Sequence, residues 1–293
     1  MKKIMLKKLY KLPDGRSVSV DTSSGILNIS HFSKIKKNRY NAFVESYISP
    51  ASTHSRIRDL FHDLQSKSFS IHPGLLSILL SRLFTYVPPV TREGGNFLDI
   101  GCNTGIFLSK ISDKWKKYGV EINDTAYKTA RTIKSIKVSH TEIENYIPKI
   151  KFNYIRASHV IEHLEDPVIF FKKIKKIANP KAHVLIYTPN SDSISLFLFK
   201  KYWYCFSERT HVKIFNINNL SKIAQDNGFR VVESGTYSMG ITAGSIMDRL
   251  DFIKGTVLFM PTFFLIFVLL YPLSLLANAI KKGGALYLYL QNK

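Results

Sequence analysis

Residues 96–121 read NFLDIGCNTGIFLSKISDKWKKYGVE, and this stretch decides the fold. Phe97, Leu98 and Ile100 make a short apolar run of strand length. A turn of small residues follows: Gly101, Cys102, Asn103, Thr104 and Gly105. Ile106, Leu108 and Ile111 then recur at helical spacing. Tyr118, Gly119 and Val120 form a second strand that ends on the acid Glu121. Strand, glycine turn, helix, strand and acid, with the acid about 20 residues after the first glycine, outline a nucleotide-binding βαβ unit.

Two features depart from the dinucleotide fingerprint. The turn is Gly-x-Asn-x-Gly, and Ile106 stands where a third glycine belongs. Asp99 puts a carboxylate two residues before Gly101. A carboxylate there disfavours a pyrophosphate and suits a cationic ligand. S-adenosylmethionine carries a sulfonium and an ammonium and has no phosphate, and its ribose hydroxyls would donate to Glu121. On these residues, LDIGCNTG followed by YGVEIN resembles motif I and the acidic-loop motif of class I S-adenosylmethionine-dependent methyltransferases. That family usually has Gly-x-Gly-x-Gly here. Asn103 replaces the middle glycine, and Asn is the non-glycine residue best able to adopt a left-handed backbone.

The resemblance implies an α/β fold: a doubly wound, mostly parallel seven-stranded sheet of the Rossmann-like kind. It also implies S-adenosylmethionine as cofactor, held by Asp99, Gly101, Cys102, Asn103, Gly105 and Glu121. Lys137, Val138 and Ser139 form a weak third strand. In the family a polar residue after this strand often meets the adenine amino group, and Glu142 is the candidate. Residues 152–158 form the fourth strand, and Ser158 at its end joins the expected cofactor set. The stretch SHVIEHLEDP that follows resembles the branch containing quinone-biosynthesis and glycan-modifying methyltransferases. The fifth strand, residues 183–190, and the sequence HVKIFNINNLSKIAQDNGFRVV resemble the same branch. Family members often have an acid where this chain has Asn153, at the strand's start. Phe197, Phe199, Tyr202, Trp203 and Tyr204 lie where the family lines its acceptor pocket; an ordinary helix packed on the core explains them equally well.

Residues 1–90 form a basic N-terminal and helical cap region, and residues 91–293 the methyltransferase domain. Within the first, Pro13-Asp14-Gly15 is a turn signal between short strands. Residues 55–65 and 73–86 read as helices, and the resemblance implies that they cap the ligand site. The basic cluster Lys34, Lys36, Lys37 and Arg39 either touches phosphates or is simply solvated.

The chain has 42 Lys and Arg against 21 Asp and Glu, a formal net charge of +21, which favours an anionic partner. No RNA-recognition motif accompanies the charge, which argues against nucleic acid. Cys102 and Cys205 make neither a disulfide framework nor a metal spacing, so no metal is expected. The basic start lacks the apolar core of a signal peptide, consistent with a cytoplasmic protein. Residues 255–280, about 26 in all, carry no charge and could cross a bilayer by length. Residues 285–290 resemble the family's seventh, antiparallel strand. If that strand joins the sixth in one sheet, a single crossing is forbidden. The segment should then dip into the membrane and return, or lie along its surface, with Pro261 and Pro272 breaking it into shorter helices. A peripheral location at the inner face of the membrane follows.

Methyl transfer to oxygen or nitrogen is an in-line displacement that needs alignment, and an oxygen nucleophile also needs a base. His163 and His211 are the catalytic candidates, one of them expected to face the acceptor, since both lie near strand ends and histidine titrates near neutrality; a loop histidine bonded to backbone is the alternative for each. The expected activity is O-methylation of a lipid-linked or cell-surface glycan, or of another amphipathic or small-molecule acceptor, at the membrane surface. A quinone-type methyltransferase of isoprenoid quinone biosynthesis, or a non-catalytic binding protein of the same fold, are the alternatives.

Overall fold

The computed structural model describes residues 5–30, 65, 66, 69, 85, 86, 88, 94–238, 241–247, 249, 250 and 258–293. The basic cluster within 34–39 and most of the two helices expected within 55–86 lie outside the described residues. Two sheets organise what is described.

The larger sheet has seven strands: β4 (Gly95–Ile100), β5 (Trp115–Glu121), β6 (Ile136–His140), β7 (Phe152–Ser158), β8 (Ala178–Pro189), β10 (Phe229–Tyr237) and β11 (Ala285–Asn292). Their spatial order is β10-β11-β8-β7-β4-β5-β6. Strands β4 to β8 pair in parallel, and β11 runs antiparallel to both its neighbours. From β4 the chain winds outward through β5 and β6, then returns to the other side of β4 as β7. The carboxyl ends of β4 and β7 therefore flank a topological switch point, where open α/β sheets bind ligands.

Strand β4 is buried on both faces, and its residues alternate between two cores. Phe97 packs on one side with Phe69, Trp115 and Tyr154, while Leu98 and Ile100 pack on the other with Phe170 and Ile174. The helices follow the sequence pattern. α1 (Ile106–Lys110) follows the glycine turn. α2 (Asp124–Ala130) is capped by the Asn123 side chain, which accepts from the Ala126 amide. α3 (Pro167–Ile177) starts on its proline, with Asp166 accepting from the Val168 amide. α4 (Ile194–Phe199) and α5 (Tyr204–Ser207) follow β8. α6 (Ile217–Asp226) leads to Gly228, whose left-handed backbone ends the helix before β10.

The smaller sheet has the order β1 (Leu6–Lys11), β2 (Ser17–Asp21), β3 (Leu27–Ile29) and β9 (Lys213–Ile214). The expected N-terminal hairpin is thus three strands, and the fourth comes from beyond residue 200. The sheet crosses the boundary drawn at residue 90, and Arg16 reinforces the join by donating to the Phe206 and Glu208 carbonyls.

One expectation is overturned. The apolar segment is not broken by its prolines: α8 (Phe259–Ala279) is one helix of 21 residues, about 31 Å long. Pro261 lies in the first turn, where no intrahelical donor is needed. Pro272 removes one bond from the interior, and the remaining turns carry the helix across it. Between β10 and α8 lies α7 (Ile241–Met247). Phe264, Leu265, Val268, Leu269, Leu273, Leu276 and Ile280 form an exposed apolar stripe, with Leu269 69% exposed. Tyr237 ending β10 pairs with Ala285 opening β11, so everything between them leaves and returns at one point. Asn278 closes that loop through Ser238, whose hydroxyl donates to its side chain at 3.0 Å.

Because β11 is inserted between β10 and β8, removing residues 285–293 should do more than trim an edge. Both neighbours lose their ladder, and the truncated chain should fail to fold. Near-ultraviolet circular dichroism and a urea melt check this; a cooperative melt in the truncated chain would mean that β10 can pair with β8 directly.

Candidate functional site

The glycine turn sits at the carboxyl end of β4 and owes its shape to three left-handed residues: Gly101, Asn103 (φ 50°) and Gly105. Gly101 is also a close approach, since a Cβ there would lie 2.7 Å from Val160 Cγ2 in the β7 exit loop. Asn103 adopts the conformation that suits asparagine, and its side chain accepts from the Thr104 amide at 2.7 Å. Under the turn lies Glu121, at the end of β5. Its Oε2 accepts from the Asn103 amide and its Oε1 from the Asn123 amide, each at 2.8 Å. Burial pushes the Glu121 carboxyl up, against the pull of those amides. Each oxygen keeps a second lone pair that can receive a ligand hydroxyl. The Thr141 amide donates to the Glu121 carbonyl, which brings the loop after β6 alongside. Glu142 in that loop is exposed, and its carboxylate accepts from Asn145 at 3.3 Å.

Two expected cofactor residues are placed differently. The cation beside Asp99 is not a ligand but Arg156, whose Nη1 lies 2.8 Å from Oδ1, with both side chains 1% exposed. The two residues face each other in the β4–β7 ladder, on the same side of the sheet. Arg156 also donates to Gln65 and lies 4.0 Å above the Phe107 ring. Gln65 in turn donates to Thr85. Cys102 is buried, and its sulfur packs against Gly119, where a Cβ would meet it at 2.5 Å. Its thiol therefore belongs to the core and only its backbone can face a ligand.

Ser158 ends β7, and a cluster of histidines around Glu162 follows it. Glu162 is fully buried. Its Oε1 accepts from His159 Nδ1 at 3.0 Å, and its Oε2 from the Thr188 hydroxyl at 3.0 Å. Burial pushes its carboxyl up, but the His159 hydrogen bond and the surrounding imidazoles outweigh this and hold it at about 2. His211 Nε2 lies 3.9 Å from Glu162, and the His163 and His211 rings lie 4.8 Å apart. The structure thus brings the two expected catalytic histidines together, but His211 does not fit a base. Its Nδ1 donates to the Cys205 carbonyl at 2.7 Å, and burial with the adjacent His163 pushes it down to about 3. His159 reaches solvent with a carboxylate behind it: its side chain is 31% exposed, its φ is 55°, and its Nε2 lies 3.5 Å from the Tyr237 hydroxyl. Although the sequence shows no metal spacing, Glu162, His163 and His211 could hold a metal ion.

A methyltransferase-domain family model matches residues 73–234 of the chain. The chain belongs to that family. A curated relative, malonyl-[acyl-carrier protein] O-methyltransferase 2 of Ilyobacter polytropus, is 26% identical over 111 residues, which are 35% of this chain and 42% of that protein. Among solved structures, phosphoethanolamine N-methyltransferase 2 of Haemonchus contortus, in complex with phosphomonomethylethanolamine and S-adenosylhomocysteine, matches with TM-score 0.54 and 16% identity. The match covers 91% of this chain and 62% of that one. A methyltransferase from Thermotoga maritima matches with TM-score 0.50 and 15% identity over 87% of this chain and 99% of that one. At these identities the structures share the fold. The chain spans less than half the length of the curated relative and under two thirds of the nematode enzyme.

Sequence reasoning missed Arg156, Gln65 and the central place of Glu162. Arg156 had a signal: a charge in an apolar strand of a parallel sheet, where both faces are buried. It needed a partner, and Asp99 was the acid at the matching height. Removing one partner of such a pair leaves a buried charge uncompensated, at about 3–5 kcal/mol. Asp99→Leu and Arg156→Met should each destabilise by that order, and the double variant by much less than their sum. Urea melts of the four proteins measure the coupling; additive losses would mean that the pair does not act as one unit.

Proposed function

We propose that this chain transfers a methyl group from S-adenosylmethionine to an amphipathic acceptor, lipid-linked or part of a cell-surface glycan, at the cytoplasmic face of a membrane. The observation that carries the cofactor assignment is Glu121 locked beneath the glycine turn at the switch point of the sheet. A phosphate-free ligand with paired hydroxyls suits a carboxylate in that position. Family membership and relatives whose structures hold S-adenosylhomocysteine or S-adenosylmethionine support it.

In the reaction the acceptor oxygen attacks the methyl carbon in line, the carbon–sulfur bond breaks, and neutral S-adenosylhomocysteine leaves. The acceptor's proton needs a base. His159 is best placed among the three clustered histidines: Glu162 holds its Nδ1–H, which leaves Nε2 to accept the proton. His163 and His211, the candidates from sequence, become supporting groups.

The membrane reading rests on α8 and on charge. An exposed apolar stripe on a helix of this length is unusual for a protein surrounded by water alone. Lys281 and Lys282 follow the C-cap residue Ile280 and can rest at headgroup level. The pairing of β10 with β11 means that the segment enters and leaves on one side, which suits a peripheral anchor better than a span.

Two measurements test these assignments separately. Glu121→Ala removes a charged acceptor worth about 1.5–3 kcal/mol, so S-adenosylmethionine affinity by calorimetry should fall about one to two decades. Unchanged affinity in a folded variant would remove Glu121 from the cofactor site. The wild-type chain should sediment with anionic liposomes, less so in high salt, and Leu265→Glu with Leu269→Glu should largely abolish this. A wild-type chain indifferent to liposomes would end the membrane assignment and leave the cofactor assignment standing.

A further inference from the structure

We propose that the groove at the amino ends of β5 and β6 is a binding site for a soluble phosphorylated ligand. Its volume is about 440 Å3, within the range of small-molecule sites. Lys116, Lys117 and Lys137 line it, together with Asp113, Tyr118 and Ser135. Glu121 ends β5 at the opposite edge of the sheet, about 17 Å from Lys116 at ~3.3 Å per residue. The groove is therefore separate from the switch point, and a ligand seated in it does not reach the transferred methyl group.

The charges in the groove are arranged for an anion. One carboxylate, Asp113, stands among three ammonium groups. It is committed to Lys117, whose Nζ lies 2.7 Å from its Oδ1. Lys117 is the unusual member: its side chain is 3% exposed, whereas that of Asp113 is 87% exposed. A buried ammonium needs a partner, and a carboxylate standing in water is a weak one. A ligand anion in the groove supplies a second. Lys116 and Lys137 are exposed and make no ion pair among the described residues. They share one face of the sheet, since Lys116 is two residues before Tyr118 and Lys137 stands beside Tyr118 in register. The Lys137 ammonium lies 5.9 Å from the centre of the Tyr118 ring, which holds its stem against the sheet. Three ammonium groups and the Ser135 hydroxyl match the several oxygens of a phosphate better than the single charge of a carboxylate.

The position of the groove selects a soluble ligand over a lipid headgroup. The segment that carries α8 leaves and returns at the carboxyl edge of the sheet, where Tyr237 pairs with Ala285. The groove opens at the amino edge, and β6 is the outermost strand at the end of the sheet away from β10. The groove and α8 thus lie at opposite corners, and a bilayer that meets α8 is out of reach of Lys116 and Lys137.

The test uses the full-length chain, with inorganic pyrophosphate and ribose 5-phosphate as probes. Calorimetry should show one site for each, unchanged by saturating S-adenosylhomocysteine. No binding of either probe, or its loss when S-adenosylhomocysteine is present, overturns the proposal. Lys116→Gln with Lys137→Gln should weaken both probes about tenfold or more. Lys200→Gln with Lys201→Gln removes the same charge from the turn after α4 and should leave both affinities unchanged. All four lysines are exposed, so both variants keep the fold. Equal weakening in the two variants would mean attraction by net charge alone and overturns the site, as does full affinity in the first. Phosphatidylserine vesicles should displace neither probe; displacement would assign the groove to a lipid headgroup and overturn the soluble ligand. No readout uses methyl transfer, so failure here leaves the proposed activity standing.

Discussion

Two backbone amides hold the Glu121 carboxylate against the glycine turn, and the geometry at the switch point depends on them. The amide of Asn103 is free to donate downward because Asn103 is in the left-handed conformation. The amide of Asn123 donates from the start of α2. One carboxylate thereby ties the exit of β4 to the exit of β5. The strands themselves are fixed by burial on both faces, so the turn has little freedom left. A ligand meeting this surface finds its hydrogen-bonding groups already in position, which limits the ordering cost of binding.

The other side of the switch point is organised differently. There the β7 exit loop gathers imidazoles around a buried carboxylate, and an adjacent histidine arrives from the loop ahead of β9. Asp99 and Arg156 lie beneath, with Gln65 linking them toward Thr85. The charged groups closest to the strand ends are thus in two separate networks. One is closed and supports packing; the other has an imidazole open to solvent and lone pairs that face inward.

Local signals were legible in the sequence and non-local ones were not. The βαβ unit and the last strand at residues 285–290 were readable from short-range pattern, and the structure has both. Asn103 was readable because its backbone preference is a property of the residue alone. The pairing of Asp99 with Arg156 depends on the register between β4 and β7, which no local pattern specifies. The same holds for His211, which reaches Glu162 only because the chain returns to the strand end after α5. Helix α8 was misread for a different reason. A proline penalty was applied to each site singly, whereas a long apolar helix loses one hydrogen bond out of many. Pro261 loses none, because it sits in the first turn.

The insertion of β11 between β10 and β8 has a consequence for how the chain reaches its fold. Strand β8 emerges during synthesis about 100 residues before the strand that pairs with it. Until then β8 has an open edge, and β10, already made, has a similar one. The two run in the same direction, so a direct parallel pairing between them is a plausible trap. Contacts this distant along the chain make for slow folding and prolonged exposure of strand edges. The apolar helix emerges just before the strand that closes the sheet. That order favours an early encounter of the helix with lipid or a chaperone, with the sheet completed afterwards.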